Sequence, residues 1–349
     1  MDLLKELNSR INLGISLVRS TVFTSEKLAL PLIEKLVTGK NTAPHPLQDP
    51  ENFRKALEEI YVLLKKDSEN IAQGYYPKEV LKSEGLMDHL LRFPQILLDG
   101  YNIARRRKKK HHKDFNEEAQ SYMDDVPEYF QRNFHFQSGG YLTKKSAELY
   151  EHQVEILFSG AADAMRRLII PLIKTHQPSN GDGLRFLELG AGTGRLTKFM
   201  AMSYPKAKII ALDLSYPYLQ KARENLKDFP RVDFMQGLAE DLSFQNESFD
   251  FVYSCFLFHE LPLDIRKKVI AEAHRLLKPG GYFGFVDSIQ KADAEHFGWA
   301  LDRFPVDFHE PFFKSYVEND MAELLKAASF EIESAERGFF SKAVLARKA

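Results

Sequence analysis

The sequence predicts an α/β protein in which a doubly wound, mostly parallel sheet fills the second half of the chain and an all-helical region precedes it. Three observations carry this reading. Strand-like apolar runs alternate with helix-like runs from residue 184 onward, a glycine-rich turn joins the first strand to the first helix, and the first 130 residues hold no strand pattern.

The helical half comes first. From Leu3 to about Val37, apolar residues recur at helical spacing, as in Leu4, Leu7, Ile11, Ile15 and Val18. Pro44, Pro46 and Pro50 break that pattern, and Asp49-Pro50-Glu51 reads as the start of a helix reaching about Lys66. Turn signals from Gly74 to Pro77 precede shorter helical patterns at Val80–Gly85 and Met87–Ala104. The basic run 105–113 follows at once. Asp114, Glu117, Glu118, Asp124 and Asp125 offset it, so it reads as a solvated helix end or linker. Anionic lipid or nucleic acid stays open as its alternative partner.

Composition narrows the class. In 349 residues, 48 Lys and Arg stand against 49 Asp and Glu, which argues against a chain-wide nucleic-acid footprint. The single Cys255 can form no internal disulfide and no thiolate zinc cage, so a reducing cytoplasm is the expected location. No export signal is visible, and no apolar stretch is long enough to span a bilayer.

In the second half, strands are expected at Leu184–Leu189, Lys208–Asp213, Val232–Gln236, Phe249–Ser254 and Tyr282–Asp287. Helices are expected at Leu196–Ser203, Pro217–Leu226 and Ile265–Leu277. A sheet of this kind binds its ligand at the carboxyl ends of its strands. Gly190, Gly192 and Gly194 occupy the first such end in a G-x-G-x-G spacing, and Arg195 stands where a dinucleotide fingerprint needs its third glycine. Asp213 ends the next strand, where a carboxylate can accept hydrogen bonds from both hydroxyls of a ribose.

Four segments together resemble a class I S-adenosylmethionine-dependent methyltransferase of the small-molecule or quinone-biosynthesis type over roughly residues 184–290. They are Leu187-Glu188-Leu189-Gly190-Ala191-Gly192-Thr193-Gly194; Ala211-Leu212-Asp213-Leu214-Ser215; Gly237-Leu238-Ala239-Glu240-Asp241-Leu242-Ser243-Phe244; and Phe249-Asp250-Phe251-Val252 followed by Leu276-Leu277-Lys278-Pro279-Gly280-Gly281. The resemblance implies a Rossmann-like, seven-stranded sheet whose last strand, Lys342–Arg347, inserts antiparallel beside Phe330–Ala335. It also implies a methyltransferase domain at 131–349 behind a helical, substrate-covering domain at 1–130.

The same resemblance implies S-adenosylmethionine as cofactor and S-adenosylhomocysteine as product. Glu188 would face the cofactor's amino group, Gly190, Ala191, Gly192 and Gly194 would clear space for it, and Asp213 and Leu214 would hold the ribose. Tyr216 would lie along the adenosine. Leu238 departs from the family pattern by replacing the usual adenine-binding acid, leaving Ala239 as a backbone contact and Glu240 as a possible substitute. Cys255 would line the pocket.

For the chemistry, His259 follows the fourth strand and has a side chain suited to proton removal near neutral pH, the alternative being a histidine that packs or hydrogen-bonds within the fold; Glu260 shares both readings. Tyr141, beside Gly139 and Gly140, sits in a segment, 133–143, that reads either as a lid or as a packed turn. An aromatic insert at 288–316, containing His309 and Tyr316, reads either as a cover that contacts the substrate, with Phe258 as a further contact, or as core packing. His309-Glu310 lacks a third ligand at a recognisable spacing, so no metal is expected. The function expected is methyl transfer to a small-molecule acceptor (aromatic, isoprenoid or amine) by in-line displacement. RNA or protein methylation, and a non-catalytic cofactor-binding scaffold, are the alternatives; the oligomeric state is left open.

Overall fold

The structure, a computed structural model, describes residues 3–38, 49–82, 86–109 and 111–349. The proline-rich break at 39–48, the end of the Val80–Gly85 pattern and Lys110 of the basic run lie outside the described residues. The chain divides into two compact units, one of Met1–Gly74, Lys78–Ala164 and Val306–His309, the other of Tyr75–Pro77, Met165–Pro305 and Glu310–Ala349.

The first unit holds α1 (Leu3–Thr38), α2 (Pro50–Gln73), α3 (Leu86–Lys109), the short α4 (Glu117–Gln120) and α5 (Lys144–Leu157). Asp49 caps α2, its side chain accepting the Glu51 amide at 2.8 Å, and Pro50 sits at the first helical position, where its missing N–H costs nothing. The helix runs past Lys66 because nothing breaks it before Gly74, whose φ of 84° supplies a left-handed stop. Helical spacing identifies α1 correctly, but most of the apolar residues that mark it do not face inward. Leu4, Leu7, Ile11, Ile15 and Val18 are exposed, whereas Ser9, Asn12, Ser16 and Ser20 are buried.

Residues 131–164 belong with these helices, so the boundary expected at 130 falls inside the first unit. The reason is packing: Leu149 and Ile156 of α5 share a core with Phe23 of α1 and Ile96 of α3. Arg19 of α1 also bridges Glu155 at 3.0 Å and Asp163 at 2.9 Å. The basic run proves to be largely the last turn of α3, where cations complement the helix dipole. Its Arg106 turns back to donate to the Asp114 carboxylate, the Phe136 carbonyl and the Ser138 hydroxyl.

Helix α6 (Ala162–Arg167) crosses the division, and the second unit continues with α7 (Ile169–His176), β1 (Arg185–Leu189), α8 (Arg195–Ser203), β2 (Lys208–Asp213), α9 (Tyr216–Asn225), β3 (Val232–Gln236) and β4 (Phe249–Cys255). Then come α10 (Leu263–Leu276), β5 (Leu277–Ser288), α11 (Gly298–Asp307), α12 (Phe313–Glu318), α13 (Met321–Ala327), β6 (Phe330–Gly338) and β7 (Ser341–Lys348). The sheet order is β3-β2-β1-β4-β5-β7-β6. The first five strands pair in parallel, and β7 is antiparallel to both β5 and β6, as expected. Near-continuous burial along β1, β2 and β4 fits strands covered on both faces.

Strand order reverses between β1 and β4. That reversal opens a crevice at the carboxyl ends of the two strands, the position where open α/β sheets bind ligands. Among the described residues, no helix is long and apolar enough to cross a membrane.

Candidate active site

Four strand ends build the site. After β1 the chain passes Gly190, Gly192 and Gly194 with φ of 69°, 56° and 81°, a region that side chains other than glycine enter at a cost. At Gly194 an added Cβ would come within 2.6 Å of Leu226 Cδ1, so glycine also permits close packing of the turn on the end of α9. At Gly192 an added Cβ would meet no protein atom within 4 Å, so the loop borders open space.

Asp213 fastens this loop to the end of β2. Its Oδ2 accepts the Gly192 amide at 2.7 Å and its Oδ1 the Ser215 amide at 2.8 Å, while Ala191 donates to the Leu212 carbonyl at 2.9 Å. Burial raises the Asp213 pKa to about 6 despite those donors. Glu188 is deeper, and burial pushes it up to about 8, although Thr197 Oγ1 donates to it at 2.5 Å.

The third loop joins the same edge, because the Gly237 amide donates to the Asp213 carbonyl at 3.1 Å. There Leu238 and Asp241 form a bridge around the half-buried Ala239 and Glu240. Ser215 caps α9 by accepting the Tyr218 amide, and this leaves Tyr216 exposed at the helix start beside the half-buried Leu214. The structure thus gathers Glu188, Gly190, Ala191, Gly192, Gly194, Asp213, Leu214, Tyr216, Ala239 and Glu240 along one edge of the sheet.

Beyond β4, Cys255 is half-buried and in no disulfide, and the chain then turns through a short helical segment, Phe258–Glu260. Its His259 is 6% exposed and joins Nδ1 to Asp287 Oδ1 at 2.6 Å. A carboxylate accepts, so the ring can donate to it through an Nδ1–H, and Nε2 then faces Glu260 Oε1 at 4.0 Å. Burial opposes the imidazolium, but the charge and hydrogen bond of Asp287, with Glu260 beyond, outweigh it and raise the His259 pKa. Phe313 and Tyr316 meet the imidazole edge-on at 5.9 and 6.2 Å.

Three expected substrate residues lie elsewhere or are otherwise engaged. Phe258 is fully buried, packed on Phe283 and Phe285, because alternate residues of the turn face the core. Tyr316 is buried and donates its hydroxyl to the Ser288 carbonyl at 2.7 Å, so it supports His259. His309 belongs to the first unit, stacked on His112 at 4.5 Å, and burial with nearby His112 and Arg132 lowers its pKa to about 4. Tyr141 is also in the first unit, buried and stacked on Phe134 at 5.2 Å; its segment is packed rather than a loose glycine flap.

Two residues escape the sequence reading. Asp287 accepts the Phe258 amide at 2.7 Å as well as His259, and its position at the end of an apolar strand was the available signal. Arg266, fully buried, donates to the Phe258 carbonyl at 2.8 Å and the Phe312 carbonyl at 2.8 Å. Burial lowers its pKa to about 10.

Comparison with known proteins agrees with this geometry. A family model described as a methyltransferase domain matches residues 186–281. An uncharacterized methyltransferase of Synechocystis is 33% identical over 150 residues, covering 43% of this chain and 68% of the relative. A probable phthiotriol/phenolphthiotriol dimycocerosates methyltransferase of Mycobacterium ulcerans is 36% identical over 33% of this chain and 43% of its own length. A fatty-acid O-methyltransferase of Mycolicibacterium smegmatis is 30% identical over 42% of this chain and 52% of its own length. The chain therefore spans about half or less of the last two. With a seven-stranded sheet of this topology and a G-x-G-x-G loop, the chain belongs to the class I S-adenosylmethionine-dependent methyltransferases.

The His259–Asp287 pair has a direct readout. Imidazole NMR is expected to place the His259 titration above the ordinary value of about 6.5. Asp287→Asn removes the charge that holds the imidazolium while leaving burial in place, so the midpoint should fall below the ordinary value. A midpoint indifferent to the substitution would sever the pair.

Proposed function

We propose that the enzyme methylates a small, lipid-like acceptor whose nucleophilic atom carries a proton at neutral pH, with His259 removing that proton. The observation that carries this reading is the buried imidazole whose Nδ1 is held by Asp287 and whose Nε2 faces Glu260 at 4.0 Å. An in-line displacement needs mainly alignment and exclusion of water, so a base is useful only when the acceptor must lose its proton. The aromatic surroundings of His259 favour an apolar acceptor body. Two relatives are named for a fatty acid and for phthiotriol/phenolphthiotriol dimycocerosates, which favours a small lipid-like molecule over RNA or protein. A reducing cytoplasm suits a Cys255 that is in no disulfide.

The cofactor fits the strand ends: the space beside Gly192 is open, and the Asp213 carboxylate beneath it stands where ribose hydroxyls would donate. Glu188 would meet the amino group, Ala239 and Glu240 the adenine, and Tyr216 the adenosine face. When bound, S-adenosylmethionine supplies an electrophilic methyl group on a sulfonium. Within the protein, Asp287 fixes the imidazole tautomer, Glu260 favours the imidazolium formed after proton uptake, and Phe313 and Tyr316 keep water from the ring.

A second reading rests on the low exposure of His259. In it the imidazole only fastens the turn after β4. The two readings separate kinetically: a base lost in His259→Ala lowers kcat by about 10² to 10⁴ with cofactor affinity intact and removes the acid limb of the pH profile. A fastener would lose cofactor affinity and turnover together.

Incubation with methyl-labelled S-adenosylmethionine and fractionated extract should put label in the small-molecule or lipid pool. Label confined to RNA or protein would promote macromolecular methylation, and cofactor binding without transfer would make the chain a scaffold. For the ribose assignment, Asp213→Ala should cost about 1.5 to 3 kcal/mol of cofactor affinity by calorimetry. Because the carboxylate is the accepting form, wild-type affinity should also fall as pH drops below about 6.

A further inference from the structure

The helical unit contains a cluster that methyl transfer does not use. Glu26 of α1 faces His89 of α3 and His152 of α5, three residues far apart in sequence. Glu26 Oε1 lies 2.6 Å from His89 Nε2, and Oε2 lies 2.9 Å from His152 Nε2. The imidazoles stack with centroids 4.3 Å apart, and Phe23, one turn before Glu26, meets both edge-on at 5.5 and 5.4 Å. The side chains are 11%, 21% and 3% exposed for Glu26, His89 and His152.

Each residue presents a ligand atom, and these atoms all lie within 4.8 Å of one another. Tetrahedral bonds of about 2.0 to 2.1 Å set ligand atoms roughly 3.3 Å apart. The two carboxylate–imidazole separations, 2.6 and 2.9 Å, are shorter than this by roughly half an ångström, as hydrogen bonds are, and small side-chain rotations would supply the difference. Two imidazoles and one carboxylate suit zinc and its late first-row neighbours, whereas magnesium and calcium prefer all-oxygen shells.

We propose that Glu26, His89 and His152 form a binding site for a divalent transition-metal ion of the zinc class, which clasps α1, α3 and α5. A neutral imidazole would shift its proton from Nε2 to Nδ1 and give the Nε2 lone pair to the metal, an imidazolium would release one proton to water as it binds, and Glu26 binds as carboxylate. No oxidation is required. Water completes the coordination.

The test uses the full, untagged chain after chelator treatment, titrated with zinc and cobalt. One equivalent should bind, cobalt should develop the visible absorption of a low-coordinate site, and zinc should raise the unfolding temperature where magnesium and calcium do not. His89→Ala, at the most exposed ligand, should weaken zinc binding by about 100-fold or more, with Glu26→Gln and His152→Ala acting in the same direction. Unchanged far-UV circular dichroism identifies folded variants. His111→Ala with His112→Ala should leave the site intact. Absence of stoichiometric binding overturns the proposal, as does binding that survives His89→Ala but fails in the His111/His112 variant.

Discussion

Three carboxylates, Glu188, Asp213 and Asp287, are buried at or near the carboxyl ends of β1, β2 and β5, and the local structure follows from keeping them there. A buried ion carries an effective penalty of several kcal/mol unless donors surround it. Asp213 obtains two backbone amides, and those bonds pull the glycine loop and the start of α9 together. Glu188 has the Thr197 and Tyr253 hydroxyls, and its pKa is driven further from the ordinary value than that of Asp213. Asp287 holds two consecutive amino acids, Phe258 through the backbone and His259 through the ring. Loop conformation and side-chain ionisation are therefore one problem at this edge.

Much of the sheet was legible because its strands are short apolar runs bounded by turn residues, and a parallel strand buried on both faces leaves little choice of pattern. The cofactor loop was legible for a local reason: glycine spacing and the following acid are all close in sequence. What failed was non-local. Asp287 is 28 residues from His259, so a single-chain pattern cannot join them. Phe258 and His259 are neighbours in sequence, but a one-turn helix sends one side chain into the core and the other toward a carboxylate. The boundary at 130 failed for a related reason, since α5 completes a core begun by α1 and α3.

The helical unit illustrates a limit of periodicity. Spacing identifies a helix, but the face that packs depends on what the neighbours need. In α1 the inner face carries small polar residues beside Phe23, with Ser20 donating to the Ser159 carbonyl at 2.8 Å, while Leu4, Leu7, Ile11, Ile15 and Val18 remain outside. The Glu26–His89–His152 cluster was hidden likewise, since its ligands come from three helices with no recognisable spacing.

Arg266 has a mechanical consequence. Its planar guanidinium group spans the Phe258 carbonyl after β4 and the Phe312 carbonyl before α12, with no slack at 2.8 Å on either side. A strut of this kind transmits displacement in both directions. Movement of the segment leading into α12 would be felt at the turn that carries His259, so the two form a single lever rather than a fixed site with an independent cover.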